Sequence, residues 1–142
     1  MCDLKRKSRR KEITGWKVVA VHNETGEYYS SAMGFKYSKR NARVPNNTVQ
    51  KSLCRSWHDG ILDPLRLNGY RKDMTGRTSI FLRKRDAVRF VFKIMEYSAC
   101  IKGYQHKIVK AIVSDNLMDG IYEILSFRTP TIAAGRRIRF LE

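Results

Sequence analysis

Apolar positions along the chain fall mostly into short alternating runs, interrupted by one stretch of helical period. Residues 16–22 (Trp-Lys-Val-Val-Ala-Val-His) are rich in β-branched side chains and predict a strand. Residues 23–27 supply turn chemistry, and residues 28–33 predict the partner strand of a hairpin. A further short strand is expected at residues 79–82. Asp86 then opens a helix running to about Ser98, with Ala87, Val88, Phe90, Val91, Phe92, Ile94, Met95 and Tyr97 forming a wide apolar face. Arg85, Arg89 and Lys93 recur at four-residue spacing and predict an exposed ridge on that helix. Gly103 is the expected stop. Residues 107–113 and 121–127 read as strands, with Asp119-Gly120 as the turn between them. Pro130 interrupts, and residues 136–141 predict a closing strand. Several strands around one helix imply an α+β fold. Its mainly antiparallel sheet, the amino-terminal hairpin plus three or four further strands, packs on one main helix.

Residues 35–78 fit neither period. Gly, Pro, Asn and Asp recur there, with only short apolar groups such as Leu53, Trp57, Ile61-Leu62 and Leu65. A stretch of that length without periodicity is uncommon inside a compact domain, and is often functional when ordered. A chain of 142 residues, 42% apolar, is long enough for one domain with a real core. The expected organisation is a basic flexible arm at 1–14 and a single domain at 15–142, with a long basic segment at 35–78.

Charge changes this picture most. Twenty-nine Lys and Arg stand against thirteen Asp and Glu, a net charge of +16. Self-repulsion of that size opposes compaction, so the excess points to an anionic partner. It is unevenly placed: residues 1–14 carry a net +4, 15–34 a net −1, 35–93 a net +11 and 94–142 a net +2. The candidate anion contacts are Lys5, Arg6, Lys7, Arg9, Arg10 and Lys11 in the arm. Further along the chain they are Lys36, Lys39, Arg40, Arg43, Arg55, Arg66, Arg71, Lys72 and Arg77, then Arg85 and Arg89 on the helix. Such groups gain affinity for phosphates through counterion release; the arm would equally serve as a localisation signal or a solubilising tail. Tyr37 and Tyr70 lie among these cations and are candidates for stacking on bases. The alternative for both is a core anchor, which is the reading preferred for Trp57. DNA or RNA is the expected partner. A host or viral protein and an anionic nucleotide are the rivals, and no membrane is implied.

Other chemistry finds little support. No RRM signature, KH loop, zinc-finger spacing or P-loop is present. Cys54 and His58 form one C-x3-H pair, but a zinc site needs two more ligands, and Cys2, Cys100, His22 and His106 are scattered singly. No metal or cofactor is expected. The acidic residues are dispersed, and Asp59 and Asp63 sit beside Gly60 and Pro64 in turn settings. No catalytic residue is assigned and a non-enzymatic role is expected. Three widely spaced cysteines and a charged amino terminus imply a reducing compartment, the cytoplasm or a nucleus. Two Asn-x-Thr matches, at Asn23 and Asn46, are read as incidental.

Gly15-Trp16-Lys17-Val18-Val19, then Tyr28-Tyr29-Ser30-Ser31 and Gly34-Phe35-Lys36-Tyr37, form one familiar piece. Ile80-Phe81 followed by Asp86-Ala87, a helix and strands ending in a basic-apolar segment form another. Together they resemble small accessory proteins of largely unassigned function encoded by phages and large DNA viruses, over some two thirds of the chain. The long basic insertion is where the chain departs from that pattern. The resemblance implies a viral origin and a binding role. That role includes occupying a host-defence complex (anti-CRISPR-like), sequestering a signalling nucleotide, or joining a particle as a minor component. It carries no chemical residue across.

Overall fold

The computed structural model describes residues 2–30, 36–37, 41–44, 76–97, 103–122 and 131–141. The architecture is α+β: one large antiparallel sheet with one main helix packed on it. In chain order the strands are β1 (Cys2–Lys7), β2 (Glu12–His22), β3 (Tyr28–Ser30), β4 (Asn41–Arg43) and β5 (Thr78–Phe81). After the helix α1 (Lys84–Tyr97) come β6 (Tyr104–Ser114), β7 (Met118–Tyr122), β8 (Thr131–Gly135) and β9 (Arg137–Phe140). Their order across the sheet is β1-β7-β8-β5-β2-β6-β9-β4, with β3 paired to β2.

The hairpin of β2 and β3 forms where the sequence places it, with Val19, Ala20 and Val21 opposite Ser30, Tyr29 and Tyr28. Gly26 takes φ +70° in its turn, which a residue without Cβ does at no steric cost. The spine of the molecule is the pairing of β2 with β6, in register from Glu12↔Ser114 to His22↔Tyr104. Alternation along these strands sorts side chains between two faces. Ile13, Val19, Val109, Ala111 and Val113 point inward with Ile138 and Phe140 of β9, Ala42 of β4, Ile80 of β5, Ala133 of β8, Leu117 and Tyr37. Both halves of the sheet therefore feed one apolar cluster, and the sheet folds over on itself to enclose it.

Two corners make that fold-over possible. Between β6 and β7, Asp115 and Asn116 both take positive φ, 65° and 55°; Asp and Asn tolerate this better than other side chains. The chain passes from β8 to β9 through Arg136, whose N–H donates to the Asp115 carbonyl at 2.9 Å. At the seam between halves, β2 and β5 share one registered pair, Trp16↔Phe81. Lys17 reinforces it: this buried side chain runs inward and its ammonium donates to the Ser79 carbonyl at 2.8 Å.

On the outer face α1 packs against β2, β5 and β6. Val18 and Ala20 of β2 are buried on this face, and Phe90 meets Phe81 at 5.5 Å between ring centroids. Phe92, expected in the apolar face of the helix, is 68% exposed and lies on the ridge with Arg85 and Arg89. Three other expectations change. Residues 2–7, part of the basic arm expected at 1–14, form an edge strand: β1 pairs with β7 from Cys2↔Tyr122 to Lys7↔Met118 and buries Leu4. Asp119-Gly120 is not a turn but lies inside β7, because the chain has already reversed at Asp115-Asn116. The strands β4 and β8 were not anticipated.

Candidate nucleic-acid interface

The corner between β1 and β2 is the first concentration of charge. The Ser8 N–H donates to the Leu117 carbonyl at 2.9 Å and the Arg10 N–H to the Ser8 hydroxyl at 3.2 Å, which fixes the path of the chain there. Arg6, Lys7, Arg9 and Arg10 then line a groove of about 700 Å³ whose other walls include Ile13, Leu82, Gly120, Thr131 and Ile132. Asp119 is the acidic group in its lining, and the Arg6 guanidinium reaches it at 3.5 Å. Arg6 is 80% exposed, so this ion pair is screened by solvent and leaves the guanidinium available to a stronger anion. The groove offers cations over an apolar floor, a setting suited to holding phosphates.

A second concentration lies on the outer face beyond the helix. Cross-strand register puts Arg43 opposite Arg137, Arg137 opposite Ser114, and Ser114 opposite Glu12. One step along, Asn41, Arg139, Ile112 and Thr14 form the next row. The two acidic groups beside these arginines are loosely engaged, Asp115 with Arg137 at 3.9 Å and Glu12 with Arg139 at 4.0 Å.

The structure separates the sequence-derived candidates. Arg6, Lys7, Arg9 and Arg10 converge on the groove, Arg43 joins the outer face, and Lys11, Arg85 and Arg89 are exposed. Lys5 lies in β1. Lys36 is already held: its ammonium meets the Glu27 carboxylate at 2.6 Å. That contact, chiefly its hydrogen bond, lowers the Glu27 pKa and raises that of Lys36. Two candidates are structural instead. Tyr37 is buried at 4% exposure, shares a 3.0 Å hydrogen bond with the Thr78 hydroxyl and meets Phe140 edge to face, so its ring cannot receive a base. Arg77 is buried at 7% exposure and its Nε donates to the Asn116 carbonyl at 3.1 Å, bracing the β6–β7 corner. Lys39, Arg40, Arg55, Arg66, Tyr70, Arg71 and Lys72, with the Cys54/His58 pair, lie outside the described residues.

Sequence reasoning missed Arg137, Arg139 and Lys110 as surface cations, although their alternation with apolar neighbours carries the signal. Among the described residues no group of three or more His, Cys, Asp or Glu could hold a metal ion. No described helix is long and apolar enough to cross a membrane. No family model, curated protein or solved structure matches the chain.

Proposed function

We propose that this protein is a non-enzymatic nucleic-acid-binding module that works in the cytoplasm or a nucleus and grips its partner chiefly by phosphate contacts. The observation that carries this reading is the groove, where Arg6, Lys7, Arg9 and Arg10 converge beside Asp119. Contacts of that kind position a protein on a nucleic acid without reading its bases.

The test is anisotropy of labelled DNA and RNA oligonucleotides titrated across a salt series. Four groove contacts predict a log–log slope of about −3 on a single strand, and steeper on a duplex. Replacing Arg9 and Arg10 together by Gln reduces that slope by about 1.4 on a single strand. An affinity indifferent to salt would sink the reading.

A further inference from the structure

The part of the outer sheet face that α1 leaves open has an aromatic ring at its centre. Trp16 is half-buried and is the cross-strand partner of Lys110 on one side and of Phe81 on the other. The Lys84 ammonium, from the first turn of α1, stands 5.1 Å from the ring centroid, and the Lys110 ammonium 5.9 Å. Two residues along β6 from Lys110, Ile112 lies opposite Arg139. Among the described residues no acidic group pairs with Lys84 or Lys110.

Two ammonium groups drawn to one ring repel each other, and an anion received between them relieves that repulsion. The ring adds a requirement that a bare phosphate does not meet. A flat indole in a cationic setting on an open sheet matches a ligand that alternates π-faces with negative charges. A duplex keeps its base faces stacked inside; a single strand presents them. Base stacking on an aromatic ring also outweighs an exposed lysine contact, so a base can displace either ammonium from the indole.

From this juxtaposition we propose that the open face of β2, β6 and β9 is a platform for single-stranded nucleic acid. One base stacks on Trp16, and Lys84, Lys110 and Arg139 hold the phosphates on either side. The platform rests on the polyanion reading above but uses a different surface from the groove.

The experiment titrates the full chain against labelled oligothymidine, oligouridine and a duplex of equal length. It uses wild type, Trp16→Ala, Trp16→Phe, the pair Lys84→Gln/Lys110→Gln and the groove pair Arg9→Gln/Arg10→Gln. Trp16→Ala is expected to weaken single-strand binding roughly 5- to 160-fold, the range of one lost stack. Trp16→Phe restores most of it, and duplex binding moves little in either. A folded Trp16→Ala that binds oligothymidine like wild type, or that loses duplex affinity by the same factor, overturns the platform. If Trp16→Ala does not fold, the exposed lysine pair decides. It is expected to lower the single-strand salt slope by about 1.4, and an unchanged slope overturns the platform. Loss confined to the groove pair leaves the polyanion reading standing without the platform; wild type binding none of the oligonucleotides removes both. The two single strands distinguish DNA from RNA.

Discussion

Substituting Gly15 by Ala tests whether the seam between the two halves of the sheet is as tight as the geometry says. A Cβ at Gly15 would stand 2.4 Å from the Phe81 carbonyl oxygen and 2.8 Å from the Ile80 Cδ1. The Ile80 methyl can rotate away, but the carbonyl belongs to β5, whose backbone is paired to β8 through Phe81↔Ile132. Overpacking of this kind costs about 3 kcal/mol at the upper end of its usual range. Ala regains roughly 0.7 kcal/mol over Gly in a strand, leaving a net loss of about 2 kcal/mol. For a chain of this size that lowers the thermal midpoint by about 8 °C, and the urea midpoint by about 1 M. Gly26→Ala is the control, because there a Cβ meets nothing within 4 Å and only the φ of +70° resists it, at about 1 kcal/mol. Circular dichroism melts of both variants decide the matter. A Gly15→Ala melt within about 2 °C of wild type, or a smaller loss than Gly26→Ala, would refute the close approach.

The remaining predictions concern two side chains that the fold has taken inside and one that it half-buries. Arg77→Met keeps the apolar stem but loses the charged hydrogen bond to Asn116; the expected loss is about 2 kcal/mol in urea unfolding. Oligonucleotide affinity of the folded variant is expected to stay unchanged, and a drop in affinity would return Arg77 to the interface. Tyr37→Phe removes the buried hydroxyl pairing with Thr78 and is expected to cost about 1 kcal/mol, again with no change in binding. Burial pushes the His106 imidazole below the usual histidine range, so on acidification the unfolded chain takes up this proton first. Its contribution to stability is therefore whole above the unfolded value of 6.5 and is lost as pH falls below it. His106→Gln should flatten the fall in melting temperature between about pH 7 and pH 5; an identical fall in both proteins would count against a desolvated imidazole.

The elements that could be read from the sequence are those whose period is local. The hairpin, the helix and the strands β5, β6 and β9 each carry their own alternation or helical spacing, and all lie near their expected positions. Where the expectation departed, the deciding contact was distant in sequence. β1 looks like a solvated tail because Leu4 alone among Leu4 to Lys11 is apolar, yet β7 supplies a partner more than a hundred residues away. β4 is three residues long, and among the described residues its ladder comes from β9. Thr131 to Gly135 offers small side chains, Ala133 and Ala134, where β8 packs closely against its neighbours. Small residues look like weak strand formers until the close packing that needs them is known.

The same distinction governs the candidate site. Charge density singled out Arg6, Lys7, Arg9 and Arg10, and the structure brings them to one groove because they are neighbours in sequence as well as in space. It left Tyr37 open between stacking and core and misplaced Arg77 at the surface, since composition does not reveal which members of a basic-aromatic segment turn inward. It also passed over Trp16, an aromatic in an apolar strand with the pattern of a core anchor. What distinguishes Trp16 is its place on its face of β2: Val18 and Ala20 on that face are buried, whereas Trp16 is half-buried beside Lys84 at the start of α1. Register then brings Lys110 beside it from 94 residues away, and the start of the helix brings Lys84. Among the described residues neither ammonium meets an acidic group, which leaves Trp16 between two cations at the start of the helix. In the proposed platform, that ring is the surface on which a base stacks.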